Sequence, residues 1–155
     1  MFHPIQLKIT EMTLEDTSLL MHYGTLFLQE MGATAINLNA YVYYLKKRLM
    51  SGRSVVLIAR TLDGQPVGAI AGTREHDTFT DKYYVQQEFW YIVDHYRGTD
   101  AARQLDNALA TWGRERGATE IVAGYFTGTP YQIGPLLNRM GYKPVSVCYR
   151  RQIHE

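Results

Sequence analysis

The sequence predicts an α/β fold of the α+β kind, a mixed and mostly antiparallel sheet flanked by helices. Three observations carry that prediction. Two strand-like runs, SVVLIARTL and QPVGAIAGTRE, are joined by Asp63-Gly64, a dipeptide suited to the positive φ values of a tight hairpin, so these strands are antiparallel. A long strand-like run, KYYVQQEFWYIV, leads through Arg97-Gly98-Thr99-Asp100 into a helical pattern and then another strand, so a right-handed crossover makes those two strands parallel neighbours. Read end to end, the order is β-α-α-β-β-β-α-β-α-β, which implies one sheet covered by helices.

Each element has its own local reason. IQLKIT alternates apolar and polar residues from Ile5 to Ile9, the period of a half-buried first strand. After Thr13, Leu14, Leu19, Leu20, Tyr23, Leu26, Phe27 and Met31 form a stripe at helical spacing, with Glu15 and Asp16 where the helix dipole favours anions. Gly24 is expected to interrupt or bend this helix. The interval GATAINLN precedes a second helix, AYVYYLKKRLM, with Tyr41, Leu45 and Leu49 on one face and Lys46, Lys47 and Arg48 on a solvated one. Ala102, Leu105, Ala108, Leu109 and Trp112 make the buried stripe of the third helix, which Gly117 ends. ATEIVAGYF reads as a strand, YQIGPLLNRM as a short helix ended by Gly141, and YKPVSVCYRRQI as a last strand with Val145, Val147 and Tyr149 on one face.

A chain of 155 residues has the length of one domain, and residues 1–155 are read as one. No stretch approaches the roughly 18 consecutive apolar residues of a membrane span. The N-terminal residues lack the pattern of a secretory signal, and Cys148, the single cysteine, rules out an internal disulfide framework, so a cytoplasmic, reducing setting is expected. A net charge of +1 argues against binding nucleic acid by phosphate neutralisation. A homodimer is left open.

Absences narrow the chemistry. There is no G-x-S-x-G elbow, no G-x-x-x-x-G-K-S/T phosphate loop and no G-x-G-x-x-G after the first strand, and the histidines show no metal-ligand spacing, so no metal is expected. The positive feature is YIVDHYRGTDAARQL, residues 91–105. A strand running into a helix N-terminus offers unpaired amides and about half a positive charge, a ready anion site. Arg97 adds a donor fork, and Gly98 lets the backbone come close.

The arrangement resembles the GCN5-related N-acetyltransferase (GNAT) family. The resemblance rests on Val93 placed before Arg97-Gly98-Thr99-Asp100-Ala101-Ala102, which matches the first and sixth positions of the family's Gln/Arg-x-x-Gly-x-Gly/Ala motif. It rests also on the element order from residue 5 to about 152 and on LNRMGYK at 137–143, similar to the family's Y-E-K-x-G-F-x. Asp100 departs from the Gly preferred at the fourth position. The GYKPVSVCYR ending is similar to family members found in bacteriophage genomes.

The resemblance implies transfer of an acetyl group from acetyl-CoA to an amine acceptor, a small molecule or protein that the sequence does not identify. It implies that Arg97, Gly98, Thr99, Asp100, Ala101 and Ala102 hold the CoA pyrophosphate, and that the strand end at Ile92 and Val93 pairs with the pantetheine arm. Glu88, the carboxylate inside the long strand, is the candidate base, yet an ungapped count from Val93 puts the family's glutamate position on Gln87, so Glu88 qualifies only if a bulge shifts the register. Asp94 and His95, nearer the thioester, could act through water or be plain loop residues. The family's acid position falls on Leu137, with Tyr131 and Tyr142 as substitutes. Tyr41, Tyr43 and Tyr44 stand in the region that shapes the acceptor site. Cys148 has no histidine neighbour in sequence and reads as an inert strand thiol. The competing reading is a GNAT-fold protein without catalysis, a binding or inhibitory module, motivated by Asp100 and Leu137 together.

Overall fold

The structure, a computed structural model, describes residues 2–32, 37–125, 127 and 132–153. Its centre is a five-stranded sheet in the order β1-β2-β3-β4-β5, formed by β1 (Leu7–Glu11), β2 (Ser54–Thr61), β3 (Pro66–Asp77), β4 (Lys82–Ile92) and β5 (Ala118–Val122). Neighbours from β1 to β4 are antiparallel, and only β4 and β5 are parallel, as the crossover through α3 (Ala101–Arg114) requires.

Helices cover both faces. On one, α3 packs Ala101, Leu105, Leu109 and Trp112 against Val55, Leu57, Val67, Ile70 and Val85. On the other, α1 (Thr17–Glu30) and α2 (Leu38–Met50) bring Leu20, Tyr23 and Leu45 onto Val56, Ile58, Ala69, Phe89 and Tyr91. Consecutive residues of β2 serve opposite clusters, so the strand reads as a nearly continuous apolar run because both its faces are buried. A short α4 (Gly134–Arg139) follows β5.

Several expectations are corrected. The first strand begins at Leu7, not Ile5, because the Ile5 N–H is taken by Asp100 Oδ1 at 3.0 Å. Gly24 does not interrupt α1. The helix runs through it, and a Cβ there would stand 2.9 Å from Leu38 Cδ1, so glycine permits the approach of α2. In the hairpin only Gly64 has positive φ, at 94°, with Gly64 N–H to Thr61 O at 3.0 Å and Thr61 N–H to Gln65 O at 2.9 Å, the three-residue loop that places a glycine last. The fourth helix is shorter than 131–140, and β5 ends at Val122.

The last predicted strand does not form among the described residues. Residues 142–153 have no strand partner among the described residues, and Val145, Val147 and Tyr149 are 83%, 76% and 94% exposed. Alternation shows that a segment can offer one apolar face. It does not supply a neighbouring strand, and among the described residues the sheet ends at β5.

Candidate active site

The site is built where β4 breaks its own regularity. Gly72 pairs with Gln87 and Ala71 with Phe89, so Glu88 is an extra residue with no Cα partner on β3. This is the register-shifting bulge that Glu88 needs. Its effect is that Glu88 and Phe89 both face the α1–α2 side, Glu88 reaching Arg48 of α2 and Phe89 meeting Phe27 of α1 at a ring separation of 5.2 Å. Gln87 and Trp90 face α3 instead: Gln87 lies opposite Gly72, whose Cβ would meet Leu109, and Trp90 packs on the α3 cluster.

Just beyond, the sheet forks. The pairing of β4 with β5 ends at Gln86 and Val122, while β4 continues to Ile92. Gln86 sits in the fork and donates through Nε2 to Val122 O at 3.2 Å and to Gln87 O at 3.1 Å. Val93 N–H points to β3, bonding Val67 O at 2.9 Å, so by strand alternation the main-chain groups of Ile92 point to the open side. There the Ile92 carbonyl accepts from Arg97 Nε at 2.9 Å. Val93 has no free backbone group, since its carbonyl accepts from Tyr96 N–H at 2.9 Å.

After a short turn at Asp94–Tyr96 the chain reaches the start of α3. Gly98 takes φ 88°, a conformation that strains any residue with a Cβ. The α3 ladder starts with Gln104 N–H to Asp100 O at 3.0 Å, so the amides of Ala102 and Arg103 precede it without helical partners. The Asp100 carboxylate is turned away from them. Its Oδ1 accepts from Ile5 N–H at 3.0 Å and Gln104 Nε2 at 2.9 Å, while His3 bonds Gly98 O at 3.0 Å and Asp100 N–H at 2.9 Å through its own backbone. The N-terminal segment is thus laced to the loop, a contact that sequence spacing does not reveal.

Arg97 is placed differently from the donor fork expected of it. Its guanidinium pairs with Glu30 of α1 at 2.6 Å and Asp94 at 2.8 Å, which ties the loop to the end of α1. Tyr142 donates to Asp106 of α3 at 2.6 Å, and its phenol is pushed up by burial and then by Asp106, so its one proton is committed. Leu137 is buried, and Tyr131 lies outside the described residues. Tyr41 packs inward while Tyr43 and Tyr44 are exposed.

Arg48 is the residue that the sequence reading misplaced. It stands seven positions after Tyr41 and three after Leu45, so it belongs to the inward stripe of α2, whereas Lys47 lies over the Tyr43 ring at 4.7 Å. Among the described residues, the buried side-chain atoms without a hydrogen-bond partner are Tyr23 Oη, Tyr41 Oη, Gln87 Nε2, Glu88 Oε2 and Trp90 Nε1. Most sit on or beside the β4 bulge. They lie on both faces of the sheet, Glu88, Tyr23 and Tyr41 toward α1 and α2, Gln87 and Trp90 toward α3. No group of three or more His, Cys, Asp or Glu able to hold a metal occurs among the described residues, nor does any helix long and apolar enough to cross a membrane.

Residues 23–132 match the sequence model of the acetyltransferase (GNAT) family. The chain belongs to that family. No curated protein matches it in sequence. The fold is that of solved acetyltransferases. A ribosomal-protein-alanine N-acetyltransferase from Brucella melitensis biovar Abortus 2308 superposes with a TM-score of 0.76 at 19% identity, over 96% of this chain and 100% of that one. A predicted acetyltransferase with acetyl-CoA from Clostridium acetobutylicum gives 0.78 at 17% identity, over 95% and 96%. AAC(6')-Iy in complex with the bisubstrate analogue CoA-S-monomethyl-acetylneamine gives 0.78 at 16% identity, over 96% and 99%. The fork and the helix N-terminus described above therefore stand in a fold of which solved examples hold acetyl-CoA or a CoA conjugate.

Proposed function

We propose that this protein transfers an acetyl group from acetyl-CoA to an amine by direct attack within a ternary complex. The observation that carries the reading is the bulge at Glu88 placed beside the fork between β4 and β5. A pantetheine arm lying in the fork pairs with the outward main-chain groups of β4 upstream of Val93. The pyrophosphate meets the free amides at the start of α3, with the Asp100 carboxylate held off by Ile5 and Gln104. That placement supports the catalytic reading over the non-catalytic one.

The acceptor approaches from the α1–α2 side. An amine with a pKa near 10.4 is mostly protonated at pH 7, and freeing its lone pair costs about 4 to 5 kcal/mol. Glu88 takes that proton, directly or through one water. The amine nitrogen then bonds to the thioester carbon, the oxyanion forms against a main-chain N–H at the fork, for which Ile92 is the candidate, the C–S bond breaks to release CoA thiolate, and the second proton on nitrogen passes to solvent or to that thiolate. Leu137 offers no proton and Tyr142 is engaged by Asp106, so the thiolate leaves without a side-chain acid. Cys148 is exposed and unbridged, which suits a reducing, cytoplasmic setting.

Acetyl-CoA at millimolar concentration is expected to raise the melting temperature. Ala102→Asp is expected to remove that rise without unfolding the protein, because a carboxylate in the first helical turn suits the dipole but repels a pyrophosphate. No shift in the wild-type protein defeats the proposal. With a panel of primary amines (a lysine-bearing peptide, a peptide with N-terminal alanine, spermidine and neamine), Glu88→Gln should lower CoA release by about 100-fold or more.

A further inference from the structure

The carboxylate of Glu88 is held asymmetrically. Its Oε1 receives two donors: an Arg48 guanidinium nitrogen and the Thr73 hydroxyl, the latter at 3.0 Å. Its Oε2 is buried and receives none. Thr73 is itself fully buried, and its Oγ1 lies 2.6 Å from the buried Ser54 Oγ. A hydroxyl has one proton, and Thr73 spends it on Glu88, so Ser54 must be the donor to Thr73. The network is directional, and it ends at Oε1. Among the described residues, the charged and titratable groups that face Glu88 are Arg48 and Tyr41, both from α2; burial and then Glu88 push the Tyr41 phenol up.

A proton arriving at Oε1 would have to displace one of two donors, one of them charged. At Oε2 it meets free lone pairs. We propose that Arg48 and Thr73 are positioning residues that, by both donating to Oε1, make Oε2 the atom of Glu88 that accepts the acceptor's proton. This rests on the reading of Glu88 as the base. It also ties the base to α2. The side chains of the pair are 35% exposed at Arg48 and 18% at Glu88.

The test uses the full chain with acetyl-CoA and reads steady-state kinetics and melting. With an amine from the panel, Arg48→Gln should lower kcat about tenfold and leave the KM for acetyl-CoA within about twofold, the pattern of an interaction with the acceptor's proton alone. Thr73→Val should lower kcat the same way by less, and Arg48→Lys should recover part of the loss. The CoA-induced melting shift should persist in all three. A kcat in Arg48→Gln that equals the wild type overturns the inference. If instead Glu88→Gln transfers acetyl as fast as wild type, the assignment of Glu88 as base falls.

Discussion

Asp100 stands where a carboxylate would most disturb a bound pyrophosphate, and the structure turns its side chain to another use. Oδ1 satisfies the N–H of Ile5 and the amide of Gln104, whose Nε2 also reaches Ile5 O at 2.7 Å. Loss of the oxygen leaves a half-buried donor unpaired. Asp100→Ala should therefore cost about 1 to 2 kcal/mol in urea unfolding, whereas Asp100→Asn, which keeps an Oδ1 acceptor, should cost less than half of that. Neither should weaken acetyl-CoA, and the removed charge should if anything tighten it, measured by calorimetric titration. Equal destabilisation by both variants would show that the charge, not the tether, holds the N-terminal segment.

Among the elements, close approach separates glycines that look alike in sequence. A Cβ on Gly68 of β3 would lie 2.4 Å from Tyr91 O, a backbone atom that cannot yield without breaking the β3–β4 ladder. One on Gly24 of α1 would meet only the end of the Leu38 side chain at 2.9 Å. Gly68→Ala should cost about 3 kcal/mol, while Gly24→Ala, whose gain in helix propensity offsets the contact, should stay within about 1 kcal/mol of wild type. Chemical denaturation of both variants decides it; a severe loss at Gly24 would mean that α2 cannot give. Local pattern predicted β2, β3 and α3 well, because a hairpin dipeptide and a helical stripe act over a few residues. The bulge at Glu88 was legible only as a condition, since sequence shows a mismatch of register but not which strand absorbs it. Arg48 was hidden by the charge run around it, although its spacing from Tyr41 and Leu45 placed it on the inward stripe. The 142–153 segment misled for the opposite reason: alternation was present and a partner strand, among the described residues, was not.

Across the whole molecule the charges pull stability in two directions as pH changes. The Asp16 carboxyl is held below its ordinary value by the Thr13 N–H and then Arg60, and that of Asp77 by the Phe79 N–H and then the Thr80 hydroxyl. Each contributes stability that is present above the unfolded value of 3.8 and lost as pH falls through the folded one. Asp106 does the reverse. Burial pushes its carboxyl above 3.8, with the Tyr142 hydroxyl only partly offsetting this, so between the two values the folded state binds more protons than the unfolded chain. Stability from this group falls as pH rises through that window, and at neutral pH the fold carries a buried charge between α3 and the segment after α4. Asp106→Asn removes the charge and keeps an oxygen for Tyr142. It should melt about 2 to 4 °C above wild type at pH 7, with the advantage shrinking as the pH is lowered toward 3.8. Tyr142→Phe should do the opposite at pH 7, because it strands the carboxylate without its donor, at about 1 to 3 kcal/mol. A pH-independent gain in Asp106→Asn would mean that packing rather than proton binding sets the difference. A loss at pH 7 would mean that the ionised carboxylate is the form this fold prefers.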